Sequence, residues 1–377
     1  PISAFTASQR LRYGQASVKF IRQQTVSLST ASCRVAPPRR GELSRCEAVK
    51  KSTASLAWEE KYGQPLEFGV SAEQGLREEM EDVAAILPKA ACGFLYACVF
   101  DGHAGVKVAQ YLAENLYGKI CAAVDGENGD ASSLSADLPK IFEDMDAEIL
   151  EWLQRKSPKE IDETGSTATC VLARKDRVIV ANVGDSRAVL SRGGRAFDLS
   201  TEHRAYGKGK IVKSETKRIE SVGGWVENGR VCDMLAVTRA FGDAEFKGDA
   251  NRARLLQDGV RDEYWDQEYA DSVVWTGDPV VATPDVTEIE ITEDDEFIVV
   301  ASDGLWDVYT SAEAVSAIRK GYRSQQSAQE IADDLVSRAL TRRTQDNVVC
   351  VIVFLNEFSD EAYETIQSKK SGMFGMF

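Results

Sequence analysis

Several short apolar runs in this sequence end on a carboxylate or begin just after one. Tyr96-Ala97-Cys98-Val99-Phe100 leads into Asp101-Gly102-His103. Phe297 to Ser302 leads into Asp303-Gly304, and Val178 to Val183 into Gly184-Asp185-Ser186. Asp346-Asn347 stands immediately before the run that opens at Val348. Glu81-Asp82 closes the charged stretch Arg77-Glu78-Glu79-Met80-Glu81-Asp82. One Asp-Gly after a strand is an ordinary turn. A set of them carries more weight, because strands packed side by side would gather four to six carboxylates at one place. Two bare carboxylates about 4 Å apart repel by about 1 kcal/mol in water and about 4 kcal/mol at an effective dielectric near 20. Such a cluster requires cations, and oxygen-only ligands select hard ions, Mg²⁺ or Mn²⁺, over zinc or copper. Two ions sharing one bridging Asp suit in-line displacement at phosphorus, where they acidify a water and clamp the phosphate oxygens.

The elements that must hold these groups are legible as patterns. Runs of strand length, rich in Val, Ile and Phe, recur at Phe94–Phe100, Thr167–Leu172, Val178–Val183, Ala188–Ser191, Phe297–Ala301 and Val348–Leu355. Helical spacing links Leu138, Ile141, Phe142, Met145, Ile149 and Leu153, and again Ala328, Ile331, Ala332, Leu335, Ala339 and Leu340. Ser327 with Glu330, and Thr310 with Glu313, have the spacing of capping boxes. Strands cluster in adjacent groups and do not alternate strictly with helices, which predicts mixed α+β with antiparallel sheets. Ala244 to Gly277 is polar and weakly periodic and reads as a long insertion or flap.

Composition removes other classes. The chain has 377 residues, is 43% apolar and carries a net charge of −15, a poor balance for non-specific nucleic-acid binding. No apolar run approaches the length of a bilayer span. Eight Cys include no C-x-x-C pair, and two His exclude a multi-His metal site. The charge is uneven: residues 1–56 hold ten basic and two acidic residues and 13 Ser or Thr, for +8 against −23 in the remainder. A basic, hydroxyl-rich, acid-poor start reads as an organelle transit peptide, with a disordered basic arm as the plainer alternative. Ser44-Arg45-Cys46-Glu47-Ala48 resembles a plastid processing site, while the spacing of Arg10 to Arg22 would also suit a mitochondrial presequence.

The charged stretch at 77–82 is followed by VFDGHAG (99–105), GSTATCVL (165–172), ANVGDSRAVL (181–190), LAVTRAFGD (235–243), ATPDV (282–286), ASDGLWDV (301–308) and QDNVVCVIV (345–353). This ordered series, over roughly residues 67–355, resembles the type 2C metal-dependent protein phosphatases, the PPM family. The resemblance implies a central antiparallel β-sandwich flanked on both sides by helices, a four-layer αββα arrangement. It implies a phosphoserine/phosphothreonine phosphatase using two Mn²⁺ or Mg²⁺ ions, with a third, weaker ion in some members. Carried over residue by residue, Asp101 resembles the bridging ligand and the Gly102 carbonyl a backbone ligand of one ion. Asp303 and Asp346 resemble ligands of the other, Glu81 and Asp82 direct or water-mediated members, and Asp185 the position associated with the third ion. Arg77 resembles the phosphate-binding guanidinium, whose fork matches two phosphate oxygens. His103 resembles the general acid that protonates the leaving Ser or Thr oxygen. Plainer readings stand beside these: Arg77 as a partner of its acidic neighbours, His103 as a turn residue, Asp185 as an Asx-turn former. His203 reads as structural, Trp225 and Trp306 as flap or core aromatics, and Cys98 and Cys350 as buried thiols.

A narrower resemblance lies in Arg204-Ala205-Tyr206-Gly207 and in KRIESVGGWVENGRVCDMLAVTRAFGD (217–243). These are similar to the chloroplast thylakoid-associated branch of the family, which acts on light-harvesting antenna proteins. That branch in vascular plants carries a hydrophobic C-terminal anchor. Here Gln367 to Phe377 holds four large apolar residues, enough for peripheral contact with a thylakoid surface and too few to span it. The expected organisation is a transit peptide over 1–56, a catalytic domain over 57–358 and a tail over 359–377, acting in the stroma or on the stromal face of the thylakoid. Two other classes compete: a catalytically silent scaffold of the same fold, which would be expected to lack a metal Asp, and a binuclear hydrolase of diesters or nucleotides.

Overall fold

The structure is a computed structural model that describes residues 18–20, 66–90, 93–124, 133–157 and 161–357. The rest of the expected transit segment and the tail at 359–377 lie outside the described residues. In chain order the first elements are β1 (Val18–Phe20), β2 (Phe68–Glu73), β3 (Val83–Leu87), β4 (Leu95–Phe100), β5 (Gly102–His103), α1 (Lys107–Val124) and α2 (Leu134–Lys156). Then come β6 (Gly165–Ser166), β7 (Ala168–Ala173), β8 (Arg177–Val183), β9 (Arg187–Arg192) and β10 (Arg195–Asp198). The flap region contributes α3 (Lys210–Ser221), β11 (Val226–Glu227), β12 (Arg230–Val231), β13 (Phe241–Gly242), α4 (Asp249–Arg261) and α5 (Gln267–Ser272). The chain closes with β14 (Asp285–Glu290), β15 (Asp295–Ala301), α6 (Asp303–Trp306), α7 (Ser311–Arg323), α8 (Ala328–Thr341) and β16 (Val348–Phe354).

Two sheets, ordered β1-β3-β4-β7-β8-β14 and β10-β9-β15-β16-β2, face one another. All their pairings are antiparallel except that of β1, which runs parallel to β3. Three residues of the segment set aside as a leader thus extend one sheet edge.

Alternation along the strands explains the layers. In β15, Ile298 and Val300 meet the opposite sheet, whereas Phe297, Val299 and Ala301 point the other way, onto α7 and α8. In β4, Ala97 and Val99 face inward between the sheets, and Tyr96, Cys98 and Phe100 pack under α1 and α2. Helices cover both outer faces, so the central strands are buried on both sides and read as unbroken apolar runs, while the edge strands β10 and β14 stay partly exposed. The four-layer αββα sandwich is therefore the observed fold. Both capping boxes form: the Thr310 and Ser327 hydroxyls accept from the Glu313 and Glu330 N–H groups, and each Glu reaches back to its cap residue.

One expectation is corrected, and one is given its structure. The 244–277 insertion holds α4 and α5 and sets Phe246 and Leu255 in a small core with Ile219, Val231, Cys232 and Val237. Its polarity reflects one-sided burial over a small core. Cys98 is not a free thiol. The β4–β7 register sets it directly opposite Cys170, and the two form a disulfide; Cys350 is a buried thiol as expected. Spacing could not reveal the bond, because a pair 72 residues apart meets only once the sheet register is known.

Candidate active site

The carboxylates converge because three strand ends and one strand start meet at the same edge of the sandwich. Asp101 follows β4, Asp185 follows β8, Asp303 follows β15 and Asp346 precedes β16. Oxygens of Asp101, Asp185 and Asp303 all lie within 4.8 Å of one another. The backbone of Asp101 is clamped from β7's approach: its N–H donates to Thr167 Oγ1 at 3.2 Å, and its carbonyl accepts from the Thr167 N–H at 2.8 Å. The turn carrying Asp303 packs closely on the loop carrying Asp346 because residue 304 is glycine; a Cβ there would overlap the Asn347 carbonyl. Gly102 is buried beside Asp101, with His103 partly exposed next in the chain.

Asp82 is buried beside Asp101 and Ser302. Asn347 fixes the loop that brings it there. Its Nδ2 donates to the carbonyls of Gln74 (2.8 Å) and Glu79 (3.0 Å), and its Oδ1 accepts from the Glu81 N–H (2.8 Å). Glu81 is half-buried outside the tight triad and repels Asp82. Arg77 is half-exposed at the rim and pairs with Asp346, not with its acidic sequence neighbours. Its Nε also donates to the Gln345 carbonyl at 3.3 Å. Asp185 meets Arg204 at 3.3 Å, and Arg204 also meets Glu202 at 3.2 Å.

The electrostatics identify what the cluster can hold. Burial, opposed by bonds to Ser302 and Asp101, pushes the Asp82 carboxyl up to about 7. Burial and then repulsion from Asp185, Asp346, Asp307 and Asp82 push Asp303 up to about 8. Burial, Asp82, Asp303, Asp185 and Asp346 hold Asp101 well above the usual carboxylate range, and burial raises Asp185 against the pull of Arg204. One buried oxygen of Asp82 has no hydrogen-bond partner. Buried, mutually repelling and incompletely satisfied oxygens of this kind are stabilised as anions by hard cations, so the donor set fits divalent metal. His103 stands beside the cluster with its side chain 28% exposed and its Nε2 2.7 Å from Asp243. Burial opposes its charge, but Asp243 and the nearby acids outweigh this and raise its pKa.

Every candidate residue named from the sequence lies at or beside this edge. Three contributors were missed there. Asp243 ends the LAVTRAFGD motif on the same Gly-Asp signature as Gly184-Asp185, and Asn347 is adjacent to Asp346; each carried a readable signal. Arg204 opens the Arg204-Ala205-Tyr206-Gly207 stretch, but nothing there announced a place beside Asp185. His203 is structural: it is fully buried, and its Nδ1 accepts from the Gly184 N–H at 3.2 Å. Its Nε2 lies 3.2 Å from Asp285, so it ties the turn carrying Asp185 to the flap's Arg239–Glu215 pair. Trp306 is buried and donates to the Ala301 carbonyl at 2.9 Å, and Trp225 packs in the flap core.

Comparison with known proteins agrees with this geometry. The model of the family "Protein phosphatase 2C" matches residues 66–348. Protein phosphatase 2C 57 of Arabidopsis thaliana is 41% identical over 295 residues, covering 77% of this chain and 75% of that protein. The probable protein phosphatase 2C T23F11.1 of Caenorhabditis elegans is 34% identical over 319 residues, covering 81% and 78%. Among solved structures, serine-threonine phosphatase 2C from Toxoplasma gondii superposes with a TM-score of 0.54 at 19% identity, covering 77% of this chain and 98% of that one. A C. elegans sex determining protein gives 0.59 at 23% identity, covering 80% and 67%. With the acidic cluster at the edge of a four-layer αββα sandwich, these matches place the chain in the protein phosphatase 2C family, as a metal-dependent protein serine/threonine phosphatase.

Proposed function

We propose that this phosphatase removes phosphate from phosphothreonine and phosphoserine of chloroplast proteins, light-harvesting antenna proteins in particular, with two Mn²⁺ or Mg²⁺ ions at the carboxylate cluster. The observation that carries the chemistry is the triad Asp101, Asp185 and Asp303 with Arg77 and His103 beside it. Asp101 and the Gly102 carbonyl, Asp303 and Asp346 would hold the two ions, with Glu81 and Asp82 supporting them and Asp185 available to a third. Bound there, divalent ions supply an acidified water and neutralise phosphate charge. The protein's own groups do the rest. Arg77 offers a planar fork to two phosphate oxygens and orients the ester. His103 gives a proton to the departing Ser or Thr oxygen, which is too basic to leave as an alkoxide.

The location and substrate rest on the +8 segment at 1–56 and on the flap's resemblance to the thylakoid-associated branch. Among the described residues no helix is long and apolar enough to cross a membrane. Residues 1–56 fused to a fluorescent reporter are expected to carry it into plastids; mitochondrial or cytosolic signal would discard the plastid reading. On thylakoids phosphorylated in vitro, the enzyme with Mn²⁺ or Mg²⁺ is expected to release phosphate from threonine of antenna proteins faster than from other thylakoid phosphoproteins. Uniform release would leave a general phosphatase and remove the antenna assignment.

A further inference from the structure

The motif at 235–243 ends in a buried carboxylate that the chemistry above does not use. Asp243 is 1% exposed, and its Oδ1 lies 2.7 Å from His103 Nε2, whereas Oδ2 is buried without a hydrogen-bond partner. The contact is built across a small third sheet, β13-β6-β5. In it His103 pairs with Gly165, and Gly165 in turn with Gly242. The central residue must be glycine: a Cβ on Gly165 would overlap His103 Nε2 and both carboxylate oxygens of Asp243 at once. Asp243 is held firmly. Its backbone is left-handed at φ 47°, and its N–H donates to the Thr164 carbonyl at 3.1 Å. The preceding Gly242 N–H donates to Asp146 of α2 at 2.9 Å. Asp146 is itself paired with the buried Lys247 at 2.7 Å, and Lys247 also donates to the Ala240 carbonyl at 2.8 Å. Asp is among the few non-glycine residues that adopt this backbone readily, and here that conformation sets its carboxylate against the candidate acid.

We propose that Asp243 is a positioning residue for His103: it accepts the Nε2–H, fixes the ring's orientation and tautomer, and so leaves Nδ1 as the nitrogen that protonates the leaving oxygen. As the P–O bond breaks, the oxygen takes the Nδ1 proton, the neutral ring keeps its Nε2–H on Asp243, and water restores the Nδ1 proton. The inference rests on the reading of His103 as the general acid. A carboxylate behind a catalytic imidazole acts through orientation and tautomer choice, and need not itself accept the proton.

The test compares kcat on a phosphothreonine peptide and on p-nitrophenyl phosphate, whose leaving group needs no acid. His103→Ala is expected to lose about 10²–10⁴-fold on the peptide and far less on the aryl ester. Asp243→Asn is expected to show the same selectivity, about 10–100-fold on the peptide, and to add nothing in the His103→Ala background. Gly165→Ala, which only crowds the contact, is expected to repeat the pattern, and it carries the test if Asp243→Asn does not fold. In the Mg²⁺-loaded enzyme, at a pH high enough for the ring to be neutral, ¹⁵N NMR is expected to report the Nε2–H tautomer and to lose it in Asp243→Asn. Equal losses on both substrates for the Asp243 and Gly165 variants, or losses additive with His103→Ala, would overturn the assignment of Asp243 alone. No selectivity in His103→Ala itself would overturn the acid reading and this inference with it.

Discussion

Asp101→Ala is expected to reduce turnover to the level of the chelator-treated wild type, a loss of about 10³-fold or more. The magnitude follows from what is removed. Paired cations contribute several kcal/mol of transition-state stabilisation, and each 1.36 kcal/mol is tenfold in rate. In the proposed assignment Asp101 joins the two ions, and its carboxylate lies within 4.8 Å of those of Asp185 and Asp303. Asp303→Ala and Asp346→Ala are expected to come close to it; the latter also frees Arg77 from its ion pair. Excess Mn²⁺ or Mg²⁺ is expected to restore activity to chelated wild type and not to Asp101→Ala. The variant is expected to fold, since the Asp101 backbone bonds to Thr167 do not use the side chain. Near-normal kcat in Asp101→Ala, or full wild-type activity in EDTA, would refute the metal assignment of the cluster.

The parts of the site that could be read from the sequence share one trait: their chemistry is local in the chain. Asp101, Asp185 and Asp303 each stand at the end of an apolar run, and their turn residues announce where the strand stops. The sandwich core was legible for the same reason, since helices bury the outer strand faces and leave apolar runs too dense to overlook. Long-range placement was not legible. Arg77 turns away from Glu78 and Glu79 to pair with Asp346 across 269 positions, and nothing in its own neighbourhood specifies that choice. The His103–Asp243 contact depends on a three-stranded sheet built from two-residue strands, too short to leave a periodicity. Cys98 met Cys170 through register alone. The helices of the 244–277 insertion left little periodicity because only a few of its apolar residues, Phe246 and Leu255 among them, join a core otherwise supplied by residues 205–240 and Val280. Average polarity hides a minority of that kind.

In metal-free protein, Asp303→Asn is expected to be more stable than wild type at alkaline pH and nearly equal to it in acid. The Asp303 carboxyl is pushed up to about 8 by burial first and then by Asp185, Asp346, Asp307 and Asp82, against an ordinary value near 3.8. The native state therefore binds this proton more tightly than the unfolded chain does. The group's contribution to stability is fully present below about pH 4, and it is lost as pH rises through about 8. At pH 9 the wild type carries the cost of a buried, repelled anion that asparagine does not, so the variant should gain on the order of 2–4 kcal/mol there. Urea midpoints in EDTA, compared between the two proteins at each pH, cancel the titration of every group they share. Saturating Mn²⁺ or Mg²⁺ should reverse the order, because an ion bound only by the native state stabilises it by mass action and the wild type binds it better. A variant less stable than wild type at pH 9 without metal would mean that Asp303 is held by a favourable structural partner. The cluster would then not be a set of repelling ligands kept together for a cation. The same substitution thus separates the two uses of a buried acid, since a structural carboxylate loses stability on neutralisation and a metal ligand gains it until the ion is supplied.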